Sequence, residues 1–258
     1  AFRYTDGKSI VKEIKKLGFS EIECSFNLTK KIVEEIEEQT ASGLIKVRSL
    51  HNYCPIPAEL TRQVALPDYY SVASIDEFQR QQAVKNTKNT IDTAVRLNAQ
   101  AVVLHAGRVE LPDRTKDLIA YYNNGRFGTK EYFQLRDEIM LDRHEKQKAY
   151  FENTLKSLDE LNSYAQKNNI YIGIETRYYY REIPHLDELK KIMHIFNNSN
   201  VFYWHDCGHA QLMEKLAIVN RHEDFLEVAK ERILGFHLHD IKGCEDHQAI
   251  GIGDFDFN

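Results

Sequence analysis

ILGFHLHDIKGCEDHQAIGIGDFDF, residues Ile233 to Phe257, runs from a short apolar stretch into His237, His239 and Asp240. It then turns into Glu245, Asp246 and His247 ahead of Gly251 and Gly253. Imidazoles and carboxylates at this density are the ligands that Zn, Mn or Co take, and a strand end presents them from a rigid support. The fold turns on whether other strands end the same way. Reading toward the N-terminus, VFYWHDCGHA leads into Asp206 and His209, NIYIGIET into Glu175, AVVLHAG into His105, and IKVRSLHNYC into His51 before Pro55 and Pro57. FSEIECSF, around Glu23, is the earliest full strand. The almost wholly apolar AVVLHAG is the pattern of a strand buried on both faces of a parallel sheet.

Helices separate these strands. Asp6 and Thr29 can cap the first two, with Ile10, Ile14 and Leu17, then Ile32, Val33 and Ile36, at helical spacing. A long polar helix is expected from about Ser74 to Asn98, another from about Asp142 to Asn168, and a shorter one from Leu186 to Phe196. The segment from Arg108 to about Leu141 breaks the alternation. It is charged, carries Tyr121, Tyr122, Gly125 and Gly128, and is expected to be a lid or binding insertion.

Repeated βα units with right-handed crossovers build either an open doubly wound sheet or a closed barrel. Polar groups at the C-terminal ends of five different strands favour the barrel, whose enzymes gather their chemistry on that face. Period-two alternation agrees: Val103 with His105, Gly173 with Glu175, and Gly235 with His237 point inward together. The expected fold is therefore a single α/β domain, a (β/α)8 TIM barrel. Six full strands are readable where closure takes eight, so parts of the first and last strands are expected to be missing. AFRY reads as the tail of a first strand, and a natural chain is expected to continue past Asn258.

Composition narrows the partners. The 258 residues are 42% hydrophobic and carry a formal net charge of -5, enough chain for one large core and no sequence-wide basic footprint for nucleic acid. Cys24, Cys54, Cys207 and Cys244 form no CxxC pair, which fits reduced thiols and a cytoplasmic setting. No run approaches the roughly 18 apolar residues of a membrane span. The sequence leaves open whether the barrel forms a homo-oligomer.

The motifs LHNYCP, VLHAG, IGIET, HDCGHA, FHLHD and EDHQAIGIGDFDF, taken together, resemble the xylose-isomerase-like TIM barrel superfamily. That superfamily holds sugar phosphate isomerases and epimerases and the zinc-dependent apurinic endonucleases. The resemblance runs from about Ile10 to Phe257. It implies that Glu175, Asp206 and His237 bind a divalent metal (Zn, Mn, Co or Mg) with His209 beside them, and that in the epimerase branch a Glu from the eighth strand completes the set. The endonuclease branch resembles this chain at His51, His105, Glu175, Asp206, His209, His237 and His247, which there hold three zinc ions. Glu245 stands where that branch has an Asp. TRYYYREIP, after Glu175, is more similar to the isomerase-type loop, which points to a small-molecule sugar substrate over a nucleic acid.

The reaction expected on that basis is isomerisation or epimerisation of a sugar or sugar derivative. A metal polarises the substrate carbonyl, the neighbouring C–H becomes acidic, and an enediolate forms. Glu175 would move the proton with help from His209, and Arg177 and Lys242 would contact a phosphate or carboxylate of the substrate. His239 and Asp240 would orient the ligands. The alternatives are a zinc-dependent phosphodiesterase of the apurinic endonuclease type and a non-enzymatic sugar-binding barrel.

Overall fold

The computed structural model describes residues 3–257. Its helices are α1 (Gly7–Lys16), α2 (Lys30–Ala41), α3 (Glu77–Arg96), α4 (Thr115–Asn123), α5 (Lys130–Lys167), α6 (Leu186–Ile195), α7 (Cys207–Lys215) and α8 (Asp224–Ala229). Its strands are β1 (Glu21–Cys24), β2 (Lys46–His51), β3 (Ala101–Leu104), β4 (Tyr171–Glu175), β5 (Val201–Asp206), β6 (Ile233–His237), β7 (Asp240–Lys242) and β8 (Glu245–Gln248). The first six strands pair in sequence order, all parallel. Right-handed strand twist curls such a sheet, and here the curl brings Glu23 on β1 to within 3.0 Å of His237 on β6. The result is a partial TIM-barrel-like sheet with helices outside and polar strand ends at one mouth. The six strands are those whose ends the sequence marked; β7 and β8 form a separate antiparallel hairpin.

The capping chemistry read from sequence is in place. Asp6 Oδ1 accepts the Ser9 N–H at 2.7 Å, and Thr29 Oγ1 accepts that of Ile32 at 3.4 Å. Asp76, not Ser74, begins α3. The segment from Arg108 to Leu141 is mostly helical: Arg108 bridges to Glu182, α4 follows, and α5 starts at Lys130 behind the Thr129 cap. The expected start of that long helix near Asp142 is therefore late by about three turns. The cause is its composition, since charged residues lie on most of its surface and leave only a narrow buried stripe (Tyr132, Ile139, Arg143) for periodicity to reveal. Ala1 and Phe2, part of the expected first-strand tail, lie outside the described residues; Arg3 and Tyr4 are not in a strand.

Two apolar layers hold the sheet. Outward-facing Val102, Leu104, Ile172 and Ile174 pack beneath Ile91, Leu158 and Leu161 of α3 and α5, and each fully buried aliphatic side chain contributes about 1.5–3 kcal/mol. The inner layer is smaller, with Ala101, Val103, Trp204 and Leu234. Trp204 fills the interior because its neighbours are glycines: a Cβ on Gly235 would lie 2.5 Å from the indole, and one on Gly173 2.9 Å from it. Above this plug the inward positions are polar. All four cysteines are free and buried. Among the described residues, no helix is long and apolar enough to cross a membrane.

Candidate metal centre

Glu175 sits at the centre of the mouth, 2% exposed, with imidazoles on three sides. His237 Nδ1 lies 2.7 Å from Oε1; on Oε2, His105 Nε2 lies at 2.7 Å and His51 Nε2 at 3.3 Å. Alternation on β2, β3, β4 and β6 aims all four side chains inward, so the sheet itself sets these distances. Asp206, two residues past the inward-facing Trp204 on β5 and so on the same face, joins from the next strand. Its Oδ2 lies 3.4 Å from His209 Nδ1 and 3.7 Å from His237 Nδ1.

The electrostatics are dominated by carboxylates held ionised in a buried place. Burial disfavours the Glu175 charge, but the surrounding imidazoles, His105 foremost, outweigh it and hold its pKa well below the usual carboxylate range. Asp206 is likewise lowered against burial by His209, His237 and His239. Burial would lower His237, yet the carboxylates of Asp206, Glu175 and Glu23 around it push it up to about 12. At His105 the Glu175 carboxylate offsets burial only in part, and burial with the nearby Arg177 charge drives it down to about 4.

Several buried atoms have no hydrogen-bond partner. Asp206 Oδ2 has none, and neither ring nitrogen of His105 makes an aligned bond despite the 2.7 Å approach to Glu175. A lone buried acceptor costs about 1–3 kcal/mol, and an ionised one more. A cation satisfies such atoms at once. Glu175, Asp206 and His237 offer ligand atoms within 4.8 Å of one another, as do His51, His105 and Glu175, and Asp206, His209, His239 and His247. These groups share Glu175 and Asp206, so they form one connected set. Nitrogen and carboxylate donors in threes fit a divalent metal such as Zn, Mn or Co.

The centre lines a cavity of about 910 Å³ that also includes Glu23, Asp68, Arg108, Arg177, Glu182 and Asp246. Of the residues singled out from sequence, His51, His105, Glu175, Asp206, His209 and His237 converge, with His247 at the rim. Arg177 reaches the cavity too, 3.8 Å from Glu175 and 3.3 Å from Glu182. Lys242 and Glu245 do not. They are register partners in the β7–β8 hairpin and face outward together, while alternation turns Asp246 inward, 3.5 Å from His209 Nε2 and 2.9 Å from His247 Nδ1. The expected ligand position two before His247 is thus filled by the residue immediately before it. Asp240, expected to orient the ligands, is engaged by backbone N–H groups instead. Its carboxylate accepts the N–H groups of Ile241, Gly251, Gly253 and Phe255 and folds the glycine loop around itself.

Glu23, Asp68, Glu182 and Asp246, which also line the cavity, were given no ligand or substrate role in the sequence reading. Glu23 accepts from Ser49 at 2.7 Å, and alternation in FSEIECSF was the signal for it. Asp68 pairs with Arg108 at 2.6 Å from a long loop with no periodicity. Glu182, which burial raises above its usual value, lies past a turn. Asp246 was masked by its neighbours.

Comparison with known proteins matches the same architecture. The family model described as xylose isomerase-like TIM barrel covers residues 11–258. An uncharacterized protein of Sinorhizobium fredii, y4fM, is 26% identical over 236 residues, which is 88% of this chain and 62% of that protein's length. Among solved structures, a D-tagatose 3-epimerase-like protein superposes with a TM-score of 0.65 at 19% identity, over 98% of this chain and 80% of the other. The Escherichia coli 3-keto-D-glucoside 4-epimerase YcjR gives 0.65 at 14% identity over 98% and 80%. A D-allulose 3-epimerase from Methylomonas, bound to D-allulose, gives 0.64 at 14% over 97% and 70%. At these identities the structures share the fold. With the family model spanning nearly its whole length, the chain belongs to the xylose isomerase-like TIM barrel family.

Proposed function

We propose that this protein is a divalent-metal-dependent isomerase or epimerase acting on a sugar or sugar derivative. The observation that carries the reading is the convergence of Glu175, Asp206 and His237 from three successive strands, with a buried Asp206 oxygen unpartnered among them. A cation held there would supply Lewis-acid polarisation of a substrate carbonyl. Glu175 is then the group to move a proton at the adjacent carbon, since it is ionised, buried and rigidly placed. His209 donates from Nδ1 to the Thr176 carbonyl at 2.9 Å. Its Nε2 lone pair therefore faces the cavity and can accept a substrate hydroxyl. Tyr178 and Tyr179 on the loop after β4 line the same space and restrict water. Two neighbours in fold are named as sugar 3- or 4-epimerases and a third as a D-tagatose 3-epimerase-like protein, which supports the substrate class.

A second reading, a zinc phosphodiesterase, is favoured by the connected ligand groups. His51 with His105 on one side of Glu175, and His209 with His247 beyond Asp206, are enough for three ions. Against it stands the pairing of three of the cavity's four cations, Arg108 with Asp68 at 2.6 Å, Lys116 with Asp113 at 3.2 Å and Arg177 with Glu182 at 3.3 Å, while Arg181 donates to the Leu111 carbonyl at 2.9 Å. A surface evolved for a polyanion leaves its cations available. The test is a panel of ketoses and aldoses with Mn, Co or Mg, run beside abasic duplex DNA with Zn. Exchange of solvent hydrogen into a sugar supports the first reading. Nicking of the duplex with no sugar turnover replaces it with the second, and binding of a sugar without turnover in either assay leaves a sugar-binding barrel.

A further inference from the structure

Two hydrogen bonds fix the tautomer of His239. The backbone N–H of His247 donates to its Nδ1 at 2.9 Å, and a backbone N–H can only donate. Nδ1 therefore carries the lone pair, and the longer 3.3 Å separation from the Asp240 carbonyl is a contact, not a bond. The ring proton sits on Nε2 and is donated to Asp206 Oδ1 at 2.8 Å. The same oxygen accepts the backbone N–H of His209, also at 2.8 Å. Oδ1 is thus doubly satisfied, while Oδ2 is buried with no partner.

The ring is held from all sides. A Cβ at Gly208 would lie 2.1 Å from His239 Cε1, so the glycine opens the space the imidazole occupies. The His247 ring stacks on the other face at 4.3 Å and an interplanar angle of 8°. Cys207 Sγ donates to the His239 carbonyl at 3.4 Å.

We propose that His239 is a positioning residue and not a metal ligand: it locks Asp206 so that Oδ2 alone faces the cation, and couples that orientation to the hairpin that carries Asp246 and His247. His239 has ligand geometry with Asp206, His209 and His247 by distance alone. Its Nε2 proton removes it from that set and leaves Asp206 with one free oxygen. The inference rests on Asp206 being a ligand, as proposed above.

Asparagine and glutamine separate the two bonds of the ring. His239→Asn keeps an acceptor near Nδ1 for the hairpin and loses the donor to Asp206; His239→Gln places a donor near Nε2. Full-length protein stripped with chelator is titrated with Co²⁺, reading affinity and the visible absorption of the bound ion. His239→Asn is expected to weaken the first Co²⁺ equivalent by about 10- to 100-fold with the absorption band unchanged, and His239→Gln to recover most of the loss. Gly208→Ala, which pushes the ring without removing it, should weaken Co²⁺ in the same direction and add nothing on top of His239→Asn. Unaltered affinity in His239→Asn, or a changed band that glutamine does not restore, overturns the proposal, the latter because it makes His239 a ligand. Asp206→Ala separates the two claims: Co²⁺ binding at wild-type affinity in that variant defeats the reading of Asp206 as a ligand. Melting temperatures in excess chelator, matched between wild type and the His239 variants, exclude misfolding as the source of the loss.

Discussion

Two clusters of buried charge lie on opposite faces of the same sheet, and they are built in opposite ways. Between α3 and α5, Arg80 is fully buried, yet its guanidinium is spoken for. Nε and Nη2 donate to Glu77 at 2.9 and 2.6 Å, and Nη1 reaches Ser157 at 2.9 Å and Glu160 at 2.8 Å. Ser157 in turn donates to the Val72 carbonyl at 2.8 Å. At the mouth of the sheet, the cluster around Glu175 is buried more deeply than the carboxylate partners of Arg80, which reach solvent, and yet it is open: Asp206 Oδ2 and both nitrogens of His105 lack hydrogen bonds. A buried network that closes on itself needs nothing further and acts as structure. One left unsatisfied is costly unless a ligand completes it. This contrast separates a structural ion cluster from a site where burial alone does not.

The sharpest way to break the contrast is substitution at its two centres. Glu175→Gln is expected to reduce sugar turnover by about 10³-fold or more, measured by solvent hydrogen exchange, in protein that remains folded. Wild-type turnover in that variant would remove Glu175 from the chemistry. Arg80→Ala should do the reverse: it costs about 2–5 kcal/mol of stability through the cavity and lost bonds, equally with and without chelator. Metal at about a hundred times its dissociation constant should stabilise the wild type by about 2.7 kcal/mol and Asp206→Ala by nothing, which denaturant melts can read.

pH sharpens the same comparison. In the metal-free protein His237 is raised from about 6.5 to about 12, so its protonated form stabilises that state fully below about 6.5, and the contribution is lost as pH rises through about 12. A metal competes with this proton. Between pH 6 and 8, log affinity should therefore rise by about one unit per pH unit, with about one proton released per ion taken up. Calorimetry in two buffers of different ionisation enthalpy measures the release, and no buffer dependence would place the ion elsewhere. The smallest effects belong to the hairpin. Glu245→Ala and Lys242→Ala should leave metal affinity unchanged, whereas Asp246→Ala lowers it where His209 and His247 take part.

What was legible in the sequence follows from the same physics. Strand ends were readable because a polar group closing an apolar run stands out, and period-two alternation assigned Val103 with His105 and Gly173 with Glu175 to one face. The six strands and the convergence of Glu175, Asp206 and His237 followed. The start of α5 was not readable, because charges on most of its surface blur the helical period. Asp68 and Glu182 enter the cavity from loops, where no period says which way a side chain points. Glu245 against Asp246 was a one-residue question of hairpin register, and register is set by pairing across the hairpin, which a single strand's sequence does not contain.

The most direct test of the open cluster is metal content per chain, by elemental analysis of protein purified without chelator, on wild type and Asp206→Ala. At least one divalent ion in the wild type, lost in the variant, is the predicted result. One exchangeable Mn, Co, Mg or Zn ion accords with the isomerase, and near three zinc ions moves the weight to the phosphodiesterase. No metal in either protein, or the same content in both, would contradict the account.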